Sequence, residues 1–337
     1  MNLQLSETRF AKRTTTSAAE RETFRRRVQL ALAALWLLDA VLQFQPYMFS
    51  KAFATNVIGS AVAGNPGFVA GPISFAAGVI VHHPAVYNSL FASTQLLIAI
   101  SLFRRRGAKI ALGVSIGWAL GVWWMGEGLG GILTGGTTVY MGEPGAALLY
   151  VFIAVYAWPR AKAASPRSSL AESSPLGRII PLLAWVALWA SFVYYALRPA
   201  MRSAQALSAM MTGMAGGEPG WIRSVDMWLG RVLAENGTQV SITLAALFAV
   251  TAVAVVVPRA AKVGVLVAMA LAATVWVSQD FGGVFTGSAT DPNTGLPLVL
   301  LAACYWPIAG RRQEGTTSAS IPIVTLGAER KVSSRAA

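Results

Sequence analysis

The sequence predicts an all-α integral membrane protein: eight transmembrane helices arranged as a tandem parallel 4+4 repeat, each unit carrying an outer amphipathic segment. Three observations predict it. Hydrophobic residues make up 55% of the 337 and charged residues only 12%, with a mean hydropathy of +0.56, whereas soluble domains hold about 25% charged residues. The apolar residues gather in stretches approaching 20 residues, which at about 1.5 Å per residue cross a hydrocarbon layer of about 30 Å. Finally, the two halves of the chain resemble each other.

The first four spans are expected at Val28–Phe49, Val86–Phe103, Ile110–Met125 and Ala146–Trp158, and the second four at Ile179–Leu197, Val240–Val257, Val263–Val277 and Leu296–Trp306. Helices are the reading because an open strand would leave backbone groups unpaired in lipid, and the alternation of a closed barrel is absent. The chain then divides into an N-terminal tail (1–27), unit 1 (28–158), a linker (159–178), unit 2 (179–308) and a C-terminal tail (309–337). The first apolar stretch is too long for a cleaved secretory signal and lacks a cleavage pattern after it. Thr, Ser, Arg and Glu dominate Met1–Arg27, which reads as a partly disordered projection.

Lys and Arg set the orientation, since cytoplasmic loops retain them. Of the 27 cations, 22 fall in the two tails and in 104–109, 159–178 and 258–262, all on one side of the expected topology. The net charge of +13 divides into +16 on that side and −3 elsewhere. Both termini are therefore expected in the cytoplasm, and the bilayer, with its anionic lipid, is the expected partner. Cations scattered through short loops beside apolar spans argue against nucleic acid. One cysteine, Cys304, excludes an internal disulfide.

The repeat is legible without gaps from Ala34 to Phe68 against Ala187 to Trp221, where nine of 35 positions are identical. These include Trp36/Trp189, Pro46/Pro199, Met48/Met201 and Gly64, Pro66 and Gly67 against Gly217, Pro219 and Gly220. Gly130-Gly131-Ile132-Leu133-Thr134-Gly135 matches Gly282-Gly283-Val284-Phe285-Thr286-Gly287, and Trp158-Pro159 matches Trp306-Pro307. An even number of spans per unit makes the repeat parallel. The long outer segments contain Phe53–Val62 and Ala204–Met214, both candidates for amphipathic helices.

Polar residues within apolar surroundings are the candidate chemistry. Asp39 lies about midway along the first expected span, where an ionised side chain costs at least about 2.5 kcal/mol, and Gln43 follows on the same face. Glu127 ends the third span in a glycine-rich turn whose backbone Thr134 and Thr286 can satisfy. The second half has Phe192, Ala196 and Gln279 at the places of Asp39, Gln43 and Glu127. The expected site is an outward-opening pocket in the first unit, with Asp39, Gln43, Glu127 and Thr134 binding a small solute or cation. His82 and His83, the only histidines, are candidate ligands for a metal ion such as zinc or copper together with Asp39 or Glu127.

Other patterns carry less. Met201, Met210, Met211 and Met214 suit cuprous copper but also plain helix packing. Gly126-x-Gly128-x-Gly130 follows a membrane helix rather than a strand and so is no phosphate loop. The sequon Asn236-Gly237-Thr238 stands so close to the next span that it reads as a turn. With no nucleotide motif and no Ser-His-Asp arrangement, an enzyme is the minority reading.

The order of elements, with Gln95-Leu96-Leu97-Ile98-Ala99-Ile100-Ser101-Leu102-Phe103 running into Arg104-Arg105-Arg106, resembles the DoxX-type four-helix membrane family. That family tends to carry Glu where this chain has Gln95, with Gln239 read as the counterpart in the second half. The resemblance implies association with quinone or thiol redox systems and a membrane protein partner. The Trp- and Gly-rich signature is also similar to multi-pass proteins of the bacterial plasma membrane. A third class of function, a structural or assembly subunit, needs none of the acids.

Overall fold

The computed structural model describes residues 2–136, 138–159 and 168–308, with side-chain surroundings from residue 18 onward except at 200 and 204. The expected C-terminal tail and residues 160–167 of the expected linker lie outside the described residues. Ten α-helices and several short 3-10 or π turns make up the fold, and no strand occurs among the described residues. The helices are α1 (Asn2–Gln43), α2 (Gly67–Ile80), α3 (Pro84–Phe103), α4 (Ala108–Met125), α5 (Ala146–Tyr156), α6 (Ile179–Leu197), α7 (Ala204–Met214), α8 (Gly220–Ala254), α9 (Ala261–Ser278) and α10 (Gly295–Cys304).

Five of these, α3, α4, α6, α8 and α9, are long and apolar enough to cross a membrane. Large apolar side chains face outward along them and their neighbours: Ile110 is 76% exposed, Phe75 74% and Ile179 71%. Apolar surface on this scale suits lipid rather than water. The chain is thus a helical, multi-pass membrane protein by length and composition. At 11 and 10 residues, α5 and α10 are too short to cross alone.

Several boundaries differ from the expectation, each for a local reason. Helix α1 starts at Asn2, so the N-terminal segment expected to be partly disordered is helical and continuous with the first span. At its other end Gln45 is extended ahead of Pro46, whose ring cannot continue a helix, so α1 stops at Gln43. Asp39 is accordingly one turn from the end of its helix rather than midway along a span. Phe53–Ile58 forms a π turn and Gly59–Val62 a 3-10 turn, and a further helix, α2, follows them. In the second half, Ala204–Met214 is helical as read, with Ser203 accepting the Ala206 amide at 3.1 Å as its cap. Asn236-Gly237-Thr238 is not a turn: it lies inside the 35-residue α8, its glycine buried.

Helix α1 packs on α3, α4 on α5, α6 on α8, and α9 on α10, while α5 and α10 meet each other at the centre. One apolar core runs through both halves, including Trp36, Tyr150, Trp185, Trp189, Phe192 and Phe248. Polar side chains tie off helix ends inside it. Asn88 donates to the Gln43 carbonyl at 2.7 Å, closing the end of α1. Ser241 donates to the Ala196 carbonyl at 2.8 Å near the end of α6. At the opposite end of α3, Arg26 donates to the Leu102 carbonyl at 2.9 Å and the Phe103 carbonyl at 2.5 Å, beside Arg104. The two halves are joined where the Tyr156 and Tyr305 hydroxyls meet at 2.9 Å and Tyr305 donates to the Pro181 carbonyl at 2.6 Å. The described end of the linker is no open tether, since Leu170 and Ala171 are fully buried and the Ala171 amide donates to the Cys304 carbonyl at 3.0 Å.

Candidate functional site

A cavity of about 360 Å³ opens between the end of α1, the turns after it, α2, α3, α4, the start of α5 and the loop before α10. Its wall is mostly apolar, with Trp36, Phe53, Ile58, Ile80, Phe91 and Trp118. A short arc of polar groups interrupts it: Asp39, Gln43, Gln95, Glu127, Tyr150, Thr290 and Asp291. Small residues of α4, Gly117 and Gly121, leave the space that larger side chains would fill.

The stop of α1 at Gln43 puts Asp39 and Gln43 on one face of its last turns, and both are buried. Trp36, one turn earlier, donates to Ser115 Oγ at 2.9 Å and stacks edge-on against Tyr150, the ring centroids 4.8 Å apart. That stack holds the Tyr150 hydroxyl where it donates to Asp39 Oδ1 at 3.2 Å. Tyr150 comes from α5, so this one bond ties the first helix of the chain to the fifth.

Glu127 follows directly on the end of α4, and its Oε1 accepts the Ala147 amide at 3.0 Å. A carboxylate at a helix N-terminus satisfies an orphan amide and complements the helix dipole, and one Glu127 oxygen serves α5 in this way. The other, Oε2, is sealed from solvent without a hydrogen-bond partner. It sits against Gly145, where φ is +100° and any Cβ would collide with it. A glycine is therefore required there both by conformation and by the carboxylate. Burial, then the neighbouring charge of Asp291, pushes the Glu127 carboxyl up to about 8.

Asp291 arrives from the second half. Thr290 donates to its Oδ2 at 2.8 Å and the Asn293 amide to its Oδ1 at 2.7 Å, which fixes the loop. Burial raises this carboxyl too, against the lowering by those two hydrogen bonds. Three carboxyl groups thus border one cavity, and its lining residues include no Lys, Arg or His. Gln43 and Gln95 are each 5% exposed, and the Oε1 of each lacks a partner, as does the Trp118 indole N–H. A buried polar atom without a protein partner costs about 1–3 kcal/mol.

Of the residues singled out in the sequence, Asp39, Gln43 and Glu127 come together. Thr134 does not line the cavity: its hydroxyl donates to the Gly131 carbonyl at 2.9 Å and accepts the Gly136 amide at 3.2 Å, so the glycine-rich turn uses up its hydrogen-bonding capacity. His82 and His83 are exposed where α2 turns into α3 and lie outside the cavity. No group of three or more His, Cys, Asp or Glu able to hold a metal occurs among the described residues. Asp280 lies elsewhere, hydrogen-bonded to Asp226, and burial and that bond raise it.

Sequence reasoning missed Asp291, because it looked for the site within the first half alone. A signal was present: Asp291-Pro292 precedes Trp306 by the same fifteen residues that separate Glu143-Pro144 from Trp158. Gln239 is not the structural counterpart of Gln95, for it is exposed on α8, while Phe248 packs beside Trp189 and Phe192. Comparison with protein-family models, with curated proteins and with solved structures gives no match to this chain.

Proposed function

We propose that this chain binds, and helps to move across the membrane, a small solute or cation held in the cavity bordered by Asp39, Gln43, Glu127 and Asp291. The carrying observation is the convergence of Asp39, Gln43, Gln95, Glu127 and Asp291 on one mainly apolar cavity. A concave, mainly apolar pocket with a few convergent polar groups is the usual form of a small-molecule site. Thermal unfolding of the full chain in detergent tests it, since a ligand that binds only the folded state raises the unfolding temperature. Asp39→Asn or Glu127→Gln is expected to remove the ligand-dependent rise and Asp280→Asn to leave it; equal losses in all three would overturn the reading.

The proposed membrane arrangement is eight crossings in two parallel four-helix units, in a bacterial plasma membrane with both termini cytoplasmic. The hydrogen bonds support it: Asn88 to Gln43 and Ser241 to Ala196 join residues related by the same spacing that relates Trp36 to Trp189. Glu127 and Gln279 also do equivalent work, the one accepting the Ala147 amide and the other the Gly295 amide at 3.2 Å. The Arg26 contacts bring N-terminal cations to the Arg104–Arg106 end of α3, as the charge distribution requires.

A second reading, a DoxX-like redox component, is favoured by one feature. The unpartnered Trp118 indole N–H and the Tyr150 hydroxyl are donors that a quinone carbonyl accepts. Stabilisation by menadione, lost in Trp118→Phe, would move the assignment there.

A further inference from the structure

We infer that the ligand of this cavity is an organic ammonium ion, with its N–H groups among the carboxyl and amide oxygens and its hydrocarbon body against the aromatic wall. The inference rests on reading the cavity as a ligand site and narrows what that site takes.

The charged groups among the polar residues that border the cavity are all acids. Asp39, Glu127 and Asp291 bring carboxyl oxygens, and Gln43 and Gln95 bring amide oxygens that are buried without partners. An ammonium group carries donors and no acceptors, so it completes this set where an anion is repelled. Asp39 also stands in the last turn of α1, at the negative end of the helix dipole, with Glu127 and Asp291 bordering the same space. A cation is the counter-charge that such a carboxylate favours.

The rest of the wall decides between organic and inorganic cations. Ca²⁺ takes six to eight oxygens at about 2.3–2.6 Å, whereas no metal-holding group of three or more His, Cys, Asp or Glu exists among the described residues. Trp36, Phe53, Phe91 and Trp118 offer ring faces and edges instead. A cation is attracted to the electron-rich face of an aromatic ring, and the apolar body removes the wall from water. Ion pairing at Glu127 displaces its proton, so uptake of the ammonium releases a proton to solvent. The titratable groups facing the space are Asp39 from α1, Glu127 after α4, Tyr150 from α5 and Asp291 before α10.

The test uses the full chain in detergent at pH 7 with four probes: 2-phenylethylammonium, its neutral isostere 2-phenylethanol, the anion 3-phenylpropanoate, and Ca²⁺. The expected result is a raised unfolding temperature with the ammonium alone, binding at least tenfold tighter than the alcohol, and proton release in calorimetry run in buffers of different ionisation enthalpy. Glu127→Gln is expected to weaken the ammonium at least tenfold while leaving the alcohol unchanged. Stabilisation by the alcohol equal to that by the ammonium, or by Ca²⁺ or the anion instead, overturns the ammonium assignment and leaves the cavity as a ligand site. No stabilisation by any probe overturns both. The comparison of probes is made on the native chain, so it stands even if a variant fails to fold.

Discussion

Around Trp36, the first half of the chain borders an acid-lined cavity; around Trp189, the second half packs aromatic rings together. The residues that differ are few. Where the first half has Asp39, Gln43 and Gln95 beside its tryptophan, the second has Phe192, Ala196 and Phe248, and all three lie in the buried core. Trp189, Phe192 and Phe248 form a closed triangle with ring centroids 5.4, 5.6 and 5.8 Å apart. The turn residues differ in the same sense. Gln279 uses its whole amide, donating to the Val139 carbonyl at 2.8 Å and Thr294 Oγ1 at 2.9 Å while accepting the Gly295 amide. Glu127 uses one oxygen, and the other lies buried against Gly145 without a hydrogen bond. A packed aromatic cluster is the arrangement that stability alone favours. The acid-lined cavity in the matching place forgoes that packing.

The comparison breaks most severely if polarity is moved to the filled side. Phe192→Asp removes a ring from the triangle and buries a carboxyl with no partner, and the lost ring alone costs about 3–5 kcal/mol. The variant is expected to unfold well below the native chain in a detergent thermal melt; a near-native melt would mean that the second half holds a cavity of its own. The reverse exchange, Gln95→Phe, introduces the second half's residue into the first. The added ring occupies the cavity between Trp118 and Asp39, so ligand-dependent stabilisation is expected to vanish while the ligand-free melt changes by less than about 1.5 kcal/mol, the range for tolerated repacking.

The helices and their apolar character were legible because span length and composition are local properties: α3, α4, α6 and α9 begin and end within two residues of the stretches read from the sequence. Asp39 and Gln43 stood out because polar side chains are rare in apolar helices, and Glu127 because it is an acid just past the end of one. What the sequence hid was tertiary. Tyr150 and Trp118 look like ordinary interfacial aromatics until the Trp36 stack aims one hydroxyl at Asp39. Asp291 belongs to the site only because α5 and α10 pack together and carry the loop before α10 across to the first half. The histidines stand apart from this cavity: α2 intervenes between α1 and the turn that bears them, and both are exposed.

A smaller effect sharpens the contrast between Glu127 and Gln279. In the folded chain Glu127 keeps its proton to about pH 8, against an ordinary glutamate value of 4.5. Between those two values the folded state holds more protons than the unfolded one, so this residue makes stability fall as pH rises. Glu127→Gln copies the second half's side chain, retains the acceptor for the Ala147 amide and removes the titration. Unfolding temperatures measured from pH 4.5 to 8 are expected to decline less in the variant than in the native chain. A parallel pair of curves would place the Glu127 proton outside the cavity.

The smallest effect separates the frame from the site. Thr134 and Thr286 make the same bonds in their respective halves, donating to the Gly131 carbonyl at 2.9 Å and to the Gly283 carbonyl at 2.7 Å. Neither hydroxyl lines the cavity. If each serves only to close its glycine-rich turn, then Thr134→Ala and Thr286→Ala should cost the same, about 0.5–1.5 kcal/mol for one hydrogen bond, and neither should alter ligand-dependent stabilisation. Titration of a ligand against the two variants by tryptophan fluorescence measures this directly. A loss of affinity confined to Thr134→Ala would extend the site outward along the turn, and the two halves would then differ in their loops as well as in their cores.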